Sequence, residues 1–194
     1  YEYRPDELKP KLIYKIPENQ HGLTVIEHLK FDAENNLIIS GRTVVEKLAT
    51  ANAYSENLIF GLRLAASFVS KRDLQGNVIW LTYFHDIPST ASPLAIDAEN
   101  NIYVLNKRNK NTVASPSFFQ KNGDMDSSAE YQDVISKIDK NGKHIWSTFY
   151  TKDSSNIKSI VAGKNGLYVY RDHLGATMSS NYFGTPNSHL PTIS

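Results

Sequence analysis

Short apolar runs alternate with turns rich in Asn, Asp and Gly along the whole chain, and no 3.6-residue apolar period is sustained. The runs LIIS (37–40), SFVSK (67–71), VIWLTYF (78–84), IYVL (102–105), DVISK (133–137) and HIWSTFY (144–150) are rich in β-branched and aromatic residues. Pleated, packed surfaces favour that composition, so the pattern predicts strands. Asn and Gly between the runs supply the positive φ that tight hairpins need. LIIS and its later counterparts are apolar at consecutive positions, which predicts strands covered on both faces. ENLIFGLRLAAS (56–67) is the one candidate for a short helix.

The runs recur with a period. DAENN occurs at 32–36 and again at 97–101, each time after an apolar strand (HLKF, PLAI) and before another. AGKNG at 162–166, between KSIV and LYVY, occupies the same place one period later. A second motif keeps nearly the same spacing: ASFVSKRDLQGNVIWLTYF (66–84) matches QDVISKIDKNGKHIWSTFY (132–150). Ser70 aligns with Ser136, Gly76 with Gly142 and Trp80 with Trp146. Two motifs on one period predict a tandem unit of four antiparallel strands. Such units, covered on both faces and repeated, build a β-propeller. A β-sandwich requires no sequence repeat, and the rungs of a β-helix are much shorter.

The expected fold is therefore all-β, a propeller segment of four-stranded antiparallel blades of about 65 residues, part of a larger ring. Residues 1–22 are expected to end a preceding blade, with LIYKI (12–16) as its fourth strand. Residues 23–85 and 86–151 are expected to form whole blades, and 152–194 an incomplete one. Rings need about four to eight blades. The expectation is a longer polypeptide with further copies on both sides; two chains joined head to tail are the other way to complete a ring.

Charge narrows the partners. The chain carries 21 basic and 20 acidic side chains, net +1, and they are interspersed. That removes the electrostatic argument for nucleic acid or an anionic membrane as a partner. The one basic knot, Lys107-Arg108-Asn109-Lys110, reads as a solvated turn. No apolar stretch approaches the ~20 residues needed to span a bilayer. There is no cysteine, which excludes disulfides and thiolate metal sites. The sequence begins at Tyr1 without a charged-then-apolar leader, so either a signal peptide has been removed or the chain is a piece of something longer.

In an antiparallel unit the one–two and three–four turns share one edge, and the long connections share the other. The long connections (42–65, 107–131 and 171–194) differ from copy to copy, and variable loops on a rigid scaffold are where binding usually sits. They also serve to fill the gaps between neighbouring units. Candidate chemistry is sparse. Asp124, Asp126 and Glu130 offer hard oxygens for Ca²⁺ but lack the glycine and ligand spacing of the twelve-residue calcium loop. Asp139-Lys-Asn-Gly142 is better explained as a hairpin turn. The histidines (21, 28, 85, 144, 173 and 189) show no zinc spacing, and there is no nucleophile elbow or phosphate loop. Trp80 and Trp146 could serve as sugar platforms, but their repeated place on strand four points to packing between units. No catalytic residue, metal ligand or ligand-binding residue is nominated.

The order D-x-x-N-N/G, apolar strand, variable loop, [FVI]-[VI]-S-K-x-D-x-x-G-x-x-[IVL]-W-x-T-[YF] resembles the bacterial seven-bladed propeller repeat over about residues 12–194. Two departures stand out. His85-Asp86 and Thr151-Lys152 replace the Gly-Gly that commonly follows strand four, and Gly163 enters the third turn. The resemblance implies a non-enzymatic scaffold or a binding or adhesion segment of a secreted or cell-surface protein. It implies no cofactor. Other blades of the same or a larger chain are the implied partners, with a protein or glycan on the long-loop face. D-x-x-G-x-x-x-W is also similar to the repeats of quinoprotein dehydrogenase propellers, in which a Trp motif docks adjacent blades around a quinone. That alternative requires Ca²⁺ ligands and a catalytic Asp, neither of which the sequence reveals.

Overall fold

A computed structural model describes residues 2–4, 9–11, 24–58, 65–84, 87–88, 93–109, 130–150 and 156–172. Strands β1 (Glu2–Arg4) and β2 (Lys9–Lys11) pair as a small hairpin. Strands β3 (Thr24–Phe31), β4 (Leu37–Thr43), β5 (Ala66–Arg72) and β6 (Val78–Phe84) form a four-stranded meander, the first sheet. In the second sheet β7 (Ile87–Pro88) and β8 (Leu94–Ile96) both pair with β9 (Ile102–Asn109), followed by β10 (Tyr131–Ile138) and β11 (His144–Phe149). A two-stranded hairpin, β12 (Asn156–Gly163) and β13 (Gly166–Asp172), comes last. Every pairing is antiparallel, and the described residues contain no helix.

Several sequence expectations change here. Within 56–67, β5 begins at Ala66 and 56–58 are non-helical, while 59–64 lie outside the described residues, as does LIYKI. Lys107, Arg108 and Asn109 are not a turn but the end of β9, where Lys107 Nζ reaches Asp133 Oδ1 at 2.8 Å on the neighbouring strand.

The repeated turn has one geometry, used four times. At Asp32, Asp73, Asp97 and Asp139 the backbone closes a three-residue loop. The N–H of the fourth residue bonds the Asp carbonyl, and the Asp N–H bonds the carbonyl of the fifth. The Asp carboxylate then accepts the N–H groups of the third and fifth residues at 2.8–3.1 Å. The fourth position must take positive φ, and it is Asn35 (61°), Gly76 (89°), Asn100 (64°) and Gly142 (86°). Asp supplies the acceptor and Asn or Gly tolerates the left-handed backbone, which is why the chain spells these letters again and again.

The third copy departs from this. Ile96 pairs with Ile102, and Ala162 pairs with Leu167, so Ala162 stands where a strand residue stood and not where Asp97 did. Gly163 faces Gly166 across a two-residue turn, Lys164-Asn165, one residue shorter than DAENN. AGKNG is therefore a different turn in the same place.

The sheets stack face to face. Ile38, Val69, Trp80 and Phe84 of the first sheet pack on Leu94, Ile102, Val104 and Ile138 of the second, all buried. The opposite face of the second sheet (Ala95, Leu105, Ile135) packs on Ile157 and Ile160 of the hairpin. Period-two alternation puts β4 and β9 between two such layers, as their continuous apolar runs predict. Gly41 marks a close approach within the first sheet, opposite the bulge at Ile26–His28. A Cβ there would lie 2.1 Å from the Val25 carbonyl oxygen.

The long connection after β4 folds back on its own sheet. Residues 44–58 lay Leu48, Ala49 and Leu58 on Leu37, Ile39, Phe68, Leu81 and Tyr83. The same segment bonds the outer edge of β6. Thr50 N–H donates to Leu81 O, and Tyr83 N–H donates to Ser55 O. The buried Tyr83 hydroxyl donates to Val45 O at 2.7 Å and accepts Leu48 N–H at 2.9 Å. Burial raises the pKa of that phenol above its ordinary value, so it keeps the proton it donates. A sheet edge that would otherwise invite pairing is thereby covered. The described part of this loop covers the face and the edge of its own sheet.

Candidate binding cleft at the first seam

Two contacts join the turns of the first and second sheets. On the outer side the Trp80 indole N–H donates to Lys140 O at 3.1 Å, and its ring lies on Gly142. A Cβ at Gly142 would sit 2.8 Å from Trp80 Cδ2, so glycine serves both the positive φ and the indole. On the inner side Asn100 Oδ1 accepts the Ala33 N–H at 2.9 Å, and its Nδ2 donates to Glu34 Oε1 at 3.4 Å. The packing role expected of Trp80 is the one it fills. Trp146 is half-buried beside the last hairpin, edge-on to Tyr103 at 6.0 Å.

A lysine on strand three braces each of the two DAENN turns. Lys71 Nζ donates to Asp32 Oδ2 at 2.8 Å and lies 3.7 Å from Glu34 Oε2. Lys137, its counterpart in the second sheet, reaches Asp97 Oδ2 at 3.2 Å and sits 4.9 Å from the centre of the Tyr103 ring. Burial pushes the Asp32 carboxyl up. Hydrogen bonds from Lys71 and Asn36, with the Lys71 charge, outweigh it and hold the pKa below the ordinary value. Asp97 is held low against its own burial by Asn101, Lys137 and Tyr103. Burial lowers the pKa of Lys137, but Tyr103 and Asp97 outweigh it and raise it overall. Asp32, Asp97 and Lys137 therefore stay charged at neutral pH. Sequence reading missed this brace, although the S-K dipeptide at 70–71, repeated at 136–137, was the available signal.

Between these contacts lies a cleft of about 510 Å³. Glu34 and Asn36 form one lip, and Lys140, Asn141 and Lys143 another. Trp80 and Lys71 line it from the first sheet, and Thr50–Ala53, the tip of the folded-back loop, closes the side. Amide, ammonium and carboxylate groups around an indole offer hydrogen bonds to a polar ligand. The cleft opens at the short-turn edge, and the long connection 42–65 contributes Thr50–Ala53 to its lining.

One grouping has catalytic letters without catalytic access. His144 Nε2 lies 2.6 Å from Ser147 Oγ, which lies 2.7 Å from Ser136 Oγ, and Tyr54 stacks on the His144 ring at 4.3 Å. Both serines are fully buried between the first two sheets, so no substrate reaches them. The contacts pack the seam.

Asp124 and Asp126 of the calcium candidate lie outside the described residues; Glu130 is exposed. Of the histidines only His28 and His144 are described. Among the described residues no three metal-binding side chains cluster, and no helix is long and apolar enough to cross a membrane. Asp139 opens the β10–β11 hairpin turn, as expected. No family model and no curated protein matches the chain.

Proposed function

We propose that the chain is a β-propeller segment acting as a non-enzymatic scaffold or binding segment of a secreted or cell-surface bacterial protein. One observation carries the propeller reading: successive sheets stack through matching repeat positions. The Trp of the first sheet's fourth strand rests on the three–four turn of the second sheet, and β4 and β9 are each covered on both faces. The motif's resemblance to bacterial propeller repeats supports the cellular setting. The folded-back loop and the turn-edge cleft support binding: a rigid frame presents polar groups in a concave site. An experimental structure tests the fold. The hairpins at 32–39 and 97–104 should superpose, and one rotation should carry the first sheet onto the second and β8–β9 onto β12–β13; unrelated rotations would overturn the propeller. A glycan or surface-adhesion screen tests the function. A signal abolished by the paired change Lys140→Ala and Lys143→Ala supports a binding segment at the cleft, and no signal leaves a spacer. A quinone absorbance band in the purified native protein would overturn the non-enzymatic reading.

A further inference from the structure

The tripeptide Lys-Asn-Gly is spelled three times, at 121–123, 140–142 and 164–166. The first copy lies outside the described residues. Asn followed by Gly has a reaction of its own. The backbone nitrogen of the glycine, giving its proton to solvent, attacks the Asn carboxamide carbon and closes a five-membered imide, and the side-chain nitrogen leaves as ammonia. Water then opens the imide at either carbonyl. The product is aspartate, or isoaspartate with the main chain rerouted through Cβ. Glycine favours the attack because no Cβ hinders it. The letters are identical in all copies, so a difference in rate between them in the folded protein comes from structure.

Asn141 and Asn165 are both exposed, so access to solvent does not separate them. The hold on the glycine does. Gly142 is buried and its N–H donates to Asp139 O at 3.0 Å, while Asp139 Oδ1 accepts the Asn141 and Lys143 N–H groups. The Trp80 indole lies on Gly142, and its N–H donates to Lys140 O at 3.1 Å. Swinging the Gly142 nitrogen onto the Asn141 side chain therefore requires this seam contact to open. The last hairpin has no such hold. Gly166 is exposed, and nothing lies within 4 Å of the place a Cβ would occupy. Neither Lys164 nor Asn165 takes the positive φ that matches a two-residue turn to the twist of its strands. Gly166 pairs with Gly163 at the end of a ladder, where opening costs least. This edge is open even inside a seam: Ala33, Glu34 and Asn35 of the corresponding first turn are exposed with the second sheet stacked behind them.

We infer that Asn165 is a self-modification site, converting to aspartate and isoaspartate in the folded protein, and that the first seam protects Asn141 from the same reaction. Either product puts a carboxylate beside Lys164, in a turn that lacks the Asp of its counterparts. Isoaspartate also lengthens the main chain of the turn, which disturbs the pairing of Gly163 with Gly166.

Peptide mapping by mass spectrometry tests this on the full chain, held folded in mildly alkaline buffer and sampled over time. Each site is followed by the mass gain of amide-to-acid exchange, and isoaspartate by its separate elution. Asn165 should convert at least about tenfold faster than Asn141. In denaturant, where neither turn persists, the two rates should converge. Asn165→Gln should abolish the signal from its own peptide, because the longer side chain closes a five-membered imide no more. Trp80→Phe removes the indole N–H and should speed Asn141 while leaving Asn165 unchanged; a thermal melt verifies that this variant folds, and the comparison in denaturant stands without it. Equal rates in the folded protein, rates that stay apart in denaturant, or an Asn165 that converts only after unfolding would overturn the inference. An Asn141 that stays as slow in folded Trp80→Phe would overturn the protection assigned to the seam.

Discussion

The two seams of this molecule are built differently. The first joins sheets through apolar packing and also through turn chemistry: Trp80 to Lys140 and Gly142, and Asn100 to Ala33 and Glu34. In the second, Ala95, Leu105 and Ile135 pack against Ile157 and Ile160. The turn facing it has lost one residue and its carboxylate. The difference separates two jobs. Apolar alternation is enough to stack one layer on another, because burial is non-directional. Fixing the register of the stack takes directional groups, and these sit in the turns. A copy of the repeat can lose its turn and still stack.

The braced turns offer the largest test of that division. Lys71 and Asp32 have side chains only 6% and 1% exposed, whereas Lys137 and Asp97 are 19% and 10% exposed. Lys71→Met strands a buried carboxylate and should cost about 3 kcal/mol, at the low end for a broken buried pair. Lys137→Met should cost about 1–2 kcal/mol, because Asp97 is nearer solvent and keeps the Tyr103 hydroxyl as a donor. Urea unfolding of the two variants measures both. Equal losses would mean that the brace depends on something other than burial.

The next test compares glycines. Gly142→Ala places a methyl group into the Trp80 indole from a backbone at φ +86°, and should cost about 2 kcal/mol through strain and displaced packing. A Cβ at Gly163 also comes close, 2.7 Å from Tyr168 Cε2, but that ring is 64% exposed and can swing away. Gly163→Ala should stay within about 0.5 kcal/mol of wild type. Thermal melts of both proteins decide it. A larger loss at Gly163 would show that the second seam also depends on its turn.

Most of the strands were legible from the letters, because each run alternates or fills with β-branched and aromatic residues and each turn carries Asp with Asn or Gly. The doubled DAENN marked two turns of one geometry, and D-x-x-G marked the other two. What the letters hid has physical causes. Lys71 and Lys137 read as ordinary polar strand residues, since a salt bridge from strand three back to the one–two turn leaves no local pattern. AGKNG looked like DAENN because similar residue types serve turns of different length, and only strand pairing reveals the missing residue. The basic knot read as a solvated turn because a run of charges usually faces water, but Lys107 pairs with Asp133 across the ladder. The cleft is assembled from five separate segments, which no spacing rule connects.

The smallest effect follows from acid. Asp32 and Asp97 are held below the ordinary carboxyl value of 3.8, which they regain when the chain unfolds. A group whose pKa is depressed by folding adds stability that is fully present above the unfolded value and is lost as pH falls through the folded one. Melting temperature should therefore be level with respect to these groups above about pH 5 and decline below about pH 4. Carboxyl NMR titration should place both midpoints below 3.8. In Asp97→Asn the amide oxygen still accepts the N–H groups of Glu99 and Asn101, but the site no longer titrates. That variant should be less stable than wild type at pH 7, where Lys137 loses its charged partner, and should decline less steeply in acid. The Lys164-Asn165 turn carries no carboxylate, so acid should loosen the amides of the 32–36 and 97–101 turns before those of the last hairpin. If the last hairpin opened first, stacking on the second sheet would depend on the Asp turns after all, and the separation of the two jobs would fail.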